Sequence, residues 1–207
     1  MKIPELYKKS NVDKDYTSIG LFRELSKKFD IGKVFYPGCY VHITPSLVFS
    51  NVTYADSHRN TFKFFESAAT LEFIIKSKEY PEEPIFKFYQ QDYNTLFKDL
   101  TDDFDLIISQ YAGFVGQAVK RYLKKGGILV CNNSHGDASR ASLDPDYRLV
   151  AVYRRKSDVQ FIISGKNIAN YLIPKSGVEP TKKQISKTMK GIAYTKSPSG
   201  YIFEKVG

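Results

Sequence analysis

The chain has no tryptophan, two cysteines, two methionines and three histidines, and each shortage excludes something. Two cysteines allow at most one bridge, so this is no disulfide scaffold. Two cysteines, Cys39 and Cys131, and three histidines in unrelated places argue against a zinc cluster and for two free thiols in a reducing compartment. No stretch reaches the ~20 apolar residues of a membrane span, and the start MKIPELYKK lacks the apolar core of a signal peptide. A soluble, cytoplasmic protein with neither metal nor membrane partner is expected. Gly-Lys-Ser/Thr loops, Gly-x-Ser-x-Gly elbows and His-Glu-x-x-His helices are missing, so NTPase, hydrolase and zinc-protease readings have no support. Glycine is short where it would tell most. VFYPGCYVHITPS, residues 34–46, has the strand-turn-helix order of a nucleotide-binding fold but keeps only Gly38, with Tyr40 and His42 where small residues are expected.

What is present suffices for a core: 42% of the 207 residues are hydrophobic, with 15 Tyr and 15 Phe. The formal charge is +9, and residues 166–207 carry eight lysines against two glutamates. That asymmetry suits a polyanion such as RNA, and a solvated lysine-rich surface accounts for it equally well.

Along the chain, YTSIGLFRELSKKFDIG puts Ile19, Phe22 and Leu25 on one helical face, with Gly32 past the end. KVFYPG is a first strand. A short helix follows, with Thr44 as its cap and Pro45 in its first turn. NVTYAD is a second strand ending on Asp56. HRNTFKFFESAATLEFIIKSKEY predicts one long or two consecutive helices, facing the core with Phe62, Phe65 and Ala69 and then Ala68, Leu71 and Ile75. IFKFYQQD is a third strand ending near Asp92, and FDLIISQ is a fourth, whose apolar run suggests burial on both faces. GFVGQAVKRYLKKGG predicts a helix closing on Gly126 and Gly127, before a fifth strand, ILVCNN. DYRLVAVYRRKSDVQFIISG predicts an antiparallel hairpin about the RKSD turn, PTKKQISKTMKG a helix between Thr181 and Gly191, and IAYTKSPSGYIFEKV a second hairpin.

This order, with the phrases VFYPGC, YAD, QQD and FDLIIS…LKKGGILV, resembles class I S-adenosylmethionine-dependent methyltransferases over residues 18–165. The resemblance implies a Rossmann-like, doubly wound, mostly parallel α/β sheet ordered 3-2-1-4-5 and ending in an antiparallel hairpin. A polar arm over 1–17 would precede that domain, and a basic helix-and-hairpin appendage over 166–207 would follow it. It further implies S-adenosylmethionine as cofactor. Tyr36 to His42 then occupies the family's Asp-x-Gly-x-Gly-x-Gly loop, where only Gly38 survives, and Asp56 matches the acid that bonds the ribose hydroxyls, with Ser57 beside it. Asp92 matches the contact to the adenine amino group, with Tyr93 able to stack on the ring, and Ser109, Gln110 and Tyr111 stand where the fourth strand meets cofactor and substrate. The implied cofactor contacts are Tyr36, Gly38, Tyr40, Asp56, Ser57, Asp92, Tyr93 and Ser109.

Each residue also has a plainer reading. Asp56 and Asp92 can cap turns, Gly38 can make a Pro-Gly turn, and Tyr40 and His42 can be packing residues. Methyl transfer asks mainly for alignment, so no universal catalytic residue is implied. His135 and Asp137, two apart in NNSHGDAS, form a conceivable acid/base pair, although that vocabulary is also common in turns. SQYAG lacks the Asn/Asp-Pro-Pro-aromatic phrase of amino-group methyltransferases on nucleic acids. Two functions therefore stand: a methyltransferase whose acceptor, small molecule or RNA, is open, or a catalytically degenerate methyltransferase-like module that binds RNA through the basic tail.

Overall fold

A run such as Phe104–Ser109, FDLIIS, needs apolar cover on both faces, and the fold supplies it by placing this strand in the interior of a sheet. The computed structural model describes residues 2–101, 103–110, 112–188 and 190–207. In the arm, a helical turn α1 (Glu5–Tyr7) runs into a π-turn over Lys8–Val12. The strand-helix units that follow are α2 (Ile19–Lys28), β1 (Val34–Pro37), α3 (Pro45–Val48), β2 (Asn51–Ala55), α4 (Thr61–Phe65), α5 (Ala68–Ser77), β3 (Ile85–Tyr89), β4 (Phe104–Ser109), α6 (Val115–Ala118) and β5 (Leu123–Cys131). The remainder comprises α7 (Asp137–Ser142), β6 (Tyr147–Arg155), β7 (Phe161–Ser164), α8 (Lys182–Thr188) and β8 (Gly200–Lys205). The sheet order is β3-β2-β1-β4-β5-β8-β6-β7, with β1 to β5 mutually parallel. As expected, β6 and β7 form an antiparallel hairpin.

Side chains alternate between the two faces. Val34 and Tyr36 join one apolar cluster with Phe22, Leu25, Tyr54 and Phe65, while Phe35 joins the other with Phe97, Phe104, Tyr122 and Leu129. Burial of a large apolar side chain contributes roughly 1.5–3 kcal/mol, so these two layers hold the strand ends in place.

Four expectations need correction. The helix over GFVGQAVKRYLKKGG is only the four residues of α6 plus a 3-10 turn, because β5 begins at Leu123 opposite Phe104. The bulge that follows accommodates Gly126 at φ +81°. Residues 192–206 form no hairpin: Tyr194 makes a single bridge to Pro174, and β8 inserts between β5 and β6, antiparallel to both. The α4–α5 face is also different. Phe64, Phe65, Phe73 and Ile74 are buried, while Phe62, Leu71 and Ile75 are exposed, because two short helices meeting at Ser67 do not share one continuous stripe. Finally, Thr44 makes no side-chain cap, its hydroxyl being bonded to Tyr7 Oη at 2.7 Å.

The polar turn of the β6–β7 hairpin has a structural task. Asp158 accepts the Ser18 N–H (2.6 Å) and the Thr17 N–H (3.1 Å), fixing the start of α2. Gly20 lets the hairpin backbone approach, since a Cβ there would lie 2.3 Å from the Val159 carbonyl oxygen.

Candidate functional site

Open parallel sheets bind ligands outside the carboxyl ends of their strands. Here β1 ends in a loop that turns left-handed twice, at Gly38 (φ +67°) and at Tyr40 (φ +47°). For a residue with a Cβ that backbone costs roughly 1–2 kcal/mol, so the second turn must be held from outside. Asp56, at the tip of β2, holds it: Oδ2 accepts the Tyr40 N–H at 2.7 Å and Oδ1 the His58 N–H at 2.8 Å. The Tyr40 ring stands edge to face with His58, centroids 5.2 Å apart. Each Asp56 oxygen keeps a lone pair for a further donor.

Beneath the loop, His42 Nε2–H donates to the Thr17 carbonyl at 2.8 Å, so Nδ1 accepts from the Tyr36 hydroxyl at 3.0 Å. Burial pushes the His42 pKa down to about 4, against the opposing pull of Thr17 and Asp158, and the ring is neutral at pH 7. The loop thus rests on an uncharged, fully partnered layer anchored through Thr17 to the hairpin turn. A cavity of about 210 Å³ opens between Tyr36, Gly38, Tyr40 and His42 on one side and Asn11 and Tyr16 of the arm on the other, with Gln110 at its end.

Tyr93 and Ala112 close the neighbouring space. The Tyr93 hydroxyl donates to the Ala112 carbonyl, and a Cβ on Gly38 would lie 2.4 Å from that of Ala112 and 3.7 Å from the Tyr93 ring. Gly38 is therefore required twice, for its φ and for the close approach. Asp92 is exposed and begins an Asx turn, Oδ1 accepting both Asn94 N–H (2.8 Å) and Asn94 Nδ2 (2.9 Å). Ser57 is exposed beside Asp56. Tyr111 lies outside the described residues.

The β4–β5 side is built differently. Ser109 is buried and donates its hydroxyl to Asp137 Oδ2, which also accepts the Gly116 N–H at 2.9 Å. One carboxylate thereby ties together β4, α6 and α7. Its Oδ1 is buried without a partner, as is Nδ2 of Asn132. Burial raises the Asp137 pKa to about 6, outweighing the Ser109 and Gly116 hydrogen bonds and the Arg140 charge. His135 is exposed while Asp137 is buried, so the two do not form the acid/base pair their spacing allows. Among the described residues, no group of three or more His, Cys, Asp or Glu side chains converges as metal ligands would.

Of the residues singled out from sequence, Tyr36, Gly38, Tyr40, Asp56 and Tyr93 gather at one edge. Asp92 supplies the turn that positions Tyr93, and Ser109 is turned toward Asp137. Sequence reasoning missed Ala112, which packs on Gly38, and Asp158, which supports Thr17. A lone alanine or a turn aspartate carries no signal for such long-range contacts.

No protein-family model matches the sequence, and no curated protein matches it. Solved structures are similar at low identity. A methyltransferase from Methanococcus maripaludis, described as S-adenosyl-L-methionine-dependent, is 16% identical, with 98% of this chain and 90% of that one covered and a TM-score of 0.49. The YcgJ protein of Bacillus subtilis is 15% identical over 92% of this chain and 98% of its own, with a TM-score of 0.49. The N-methyltransferase NodS of Bradyrhizobium japonicum, in complex with S-adenosyl-L-homocysteine, is 13% identical over 77% and 88%, with a TM-score of 0.47. The strand order β3-β2-β1-β4-β5, continued by antiparallel β8 and closed by the β6–β7 hairpin, is a Rossmann-like, mostly parallel α/β sheet with an antiparallel end, as the resemblance implies.

Proposed function

We propose that the chain is an S-adenosylmethionine-dependent methyltransferase working outside the carboxyl ends of β1, β2 and β4. The observation that carries this reading is Asp56: a carboxylate at the tip of β2, with free lone pairs, that pins the second left-handed turn of the β1 loop, at Tyr40. Bound there, the cofactor would supply an electrophilic methyl group on a sulfonium, the C–S electron pair staying on sulfur as the methyl carbon bonds the acceptor. The residues fit its parts. Asp56 would accept the ribose hydroxyls, and the cavity beside Tyr36, Gly38 and Tyr40 would take the amino-acid end. Tyr93 would lie over the base, with Asp92 Oδ2 left for its amino group. No side chain is assigned as a base, because an acceptor that needs only alignment can release its proton to water.

The cavity is smaller than the roughly 300–1,000 Å³ of complete small-molecule sites. Full occupancy therefore requires Tyr93 to leave Ala112. That cover is the one observation favouring the second reading, a methyltransferase-like module that no longer takes cofactor. Calorimetric titration with S-adenosylmethionine and S-adenosylhomocysteine separates the two: micromolar binding is expected, and silence at millimolar ligand would establish the second reading instead.

A further inference from the structure

The lysines that follow the β6–β7 hairpin do not trail from the sheet. Asn133 Nδ2 donates to the Ile192 carbonyl at 2.9 Å, and the Ile192 N–H donates to Ser139 Oγ at 2.9 Å. Gly191 packs so closely that a Cβ would lie 2.0 Å from the Asn133 carbonyl oxygen. Arg140 donates to the Lys182 carbonyl at 3.3 Å, α8 packs on α7, and its Ile185 is fully buried. Helix α8 and the Gly191–Ile192 stretch are therefore seated on the 132–142 segment, at the carboxyl edge of β5.

Its charge is left free. Lys166, Lys175, Lys182, Lys183, Lys187, Lys190 and Lys196 are all exposed, and none takes part in an ion pair among the described residues. Glu179 is the single acid of residues 166–199. Two half-buried rings, that of Phe114 beside α7 and that of Tyr171 within the lysine-rich segment, already carry cations. Arg140 sits 6.0 Å from the Phe114 centroid, while Lys196 sits 5.9 Å from that of Tyr171, whose hydroxyl also accepts from Arg154 at 3.2 Å. Lysines that track a backbone beside rings on which bases stack are the two components of sequence-tolerant binding to single strands.

We propose that this platform binds single-stranded nucleic acid and brings it to the sheet edge beside β4 and β5. The binding stands on its own; that the bound strand carries the methyl acceptor rests on the methyltransferase reading above. A lipid surface is the competing partner, since Ile173 and Val178 are 49% and 66% exposed within the same segment. Exposed lysines without ion pairs, together with the two ring-cation pairs, favour the strand.

The test uses the full chain and fluorescence anisotropy with a labelled 20-nucleotide RNA and its DNA equivalent. If four lysines neutralise phosphates, affinity should fall about 50-fold between 50 and 200 mM salt. A variant with Lys182→Gln, Lys183→Gln, Lys187→Gln and Lys190→Gln should lose most of that binding and of its salt dependence, while keeping its melting temperature and S-adenosylhomocysteine titration unchanged. Preference for the RNA or the DNA identifies the natural strand. Binding with no salt dependence, or an unaffected variant, overturns the platform. So does co-sedimentation with phosphatidylserine vesicles when neither strand binds. Strand binding with a silent cofactor titration keeps the platform and removes only the methyltransferase reading.

Discussion

The two loops that flank β4 at the sheet edge are held by carboxylates in opposite ways. After β1, Asp56 is half-buried and both its oxygens take backbone N–H groups, while the layer beneath, Tyr36 and His42, is neutral. After β5, Asp137 is buried and leaves one oxygen without a partner. The first loop is fixed with its polar groups satisfied. The second stores the cost of an under-satisfied charge, as binding and catalytic edges commonly do.

The difference gives the two regions opposite responses to acid. Asp137 has an ordinary pKa near 3.8 and a folded one of about 6, so between these values the folded chain holds a proton the unfolded chain has lost. Stability therefore falls as pH rises through that window, by ~3 kcal/mol in all. His42 drops from 6.5 to about 4, so there the unfolded chain holds the extra proton and stability rises with pH, again by ~3 kcal/mol. The two nearly cancel in the intact protein. Asp137→Asn, which can still accept from Ser109 and Gly116, should expose the His42 rise between pH 4 and 6.5. His42→Gln should expose the Asp137 fall. Urea unfolding across that range reads both, and profiles parallel to the unaltered protein would remove the assigned titrations.

A smaller effect tests whether the better-satisfied loop is the one that holds cofactor. Asp56→Ala should weaken S-adenosylhomocysteine binding by about 1.5–3 kcal/mol, or roughly 10- to 150-fold, because hydrogen bonds to a charged acceptor are lost. Unchanged affinity would leave Asp56 as a turn-holding residue alone. Tyr93→Phe works in the other direction. On the methyltransferase reading the Tyr93–Ala112 hydrogen bond breaks before the cleft accepts a whole cofactor, so removing it should lower the opening cost by ~1 kcal/mol and tighten binding about fivefold. Weaker binding would mean that the hydroxyl contacts ligand rather than closing the site.

How much of this was legible depends on range. FDLIIS of β4 carries an apolar run whose burial on both faces shows in the sequence itself, and the RKSD turn could join only antiparallel neighbours. The strand order came with the family resemblance. Asp56 could be placed because it directly follows its strand. What it binds could not, because the partner N–H belongs to Tyr40, sixteen residues away, in a backbone conformation usually associated with glycine. LKKGG read as a helix end because the pairing of Leu123 with Phe104 and the Lys124–Asp105 ion pair are tertiary. β8 was hidden for the same reason: GYIFEK reads as one half of a local hairpin, and only the gap between β5 and β6 makes it an interior strand.

The smallest effect concerns the thiols, which lie one in each region. Cys39 follows β1, Cys131 ends β5, and β4 runs between those strands. Adjacent strands are about 4.8 Å apart, so two spacings separate the backbones by roughly 10 Å, beyond the ~7 Å a disulfide can span. Both cysteines are free and buried, and burial pushes both thiols well above their ordinary pKa. Neither should react with a thiol reagent in the native protein at pH 8, because reaction needs both access and thiolate. In unreduced, denatured protein both should react, and the melting temperature should be the same with and without reductant. A missing pair of thiols after denaturation would mean a Cys39–Cys131 bridge. The β1 and β5 loops would then have to meet across β4, and the separation between a satisfied β1 edge and an under-satisfied β5 edge would be lost.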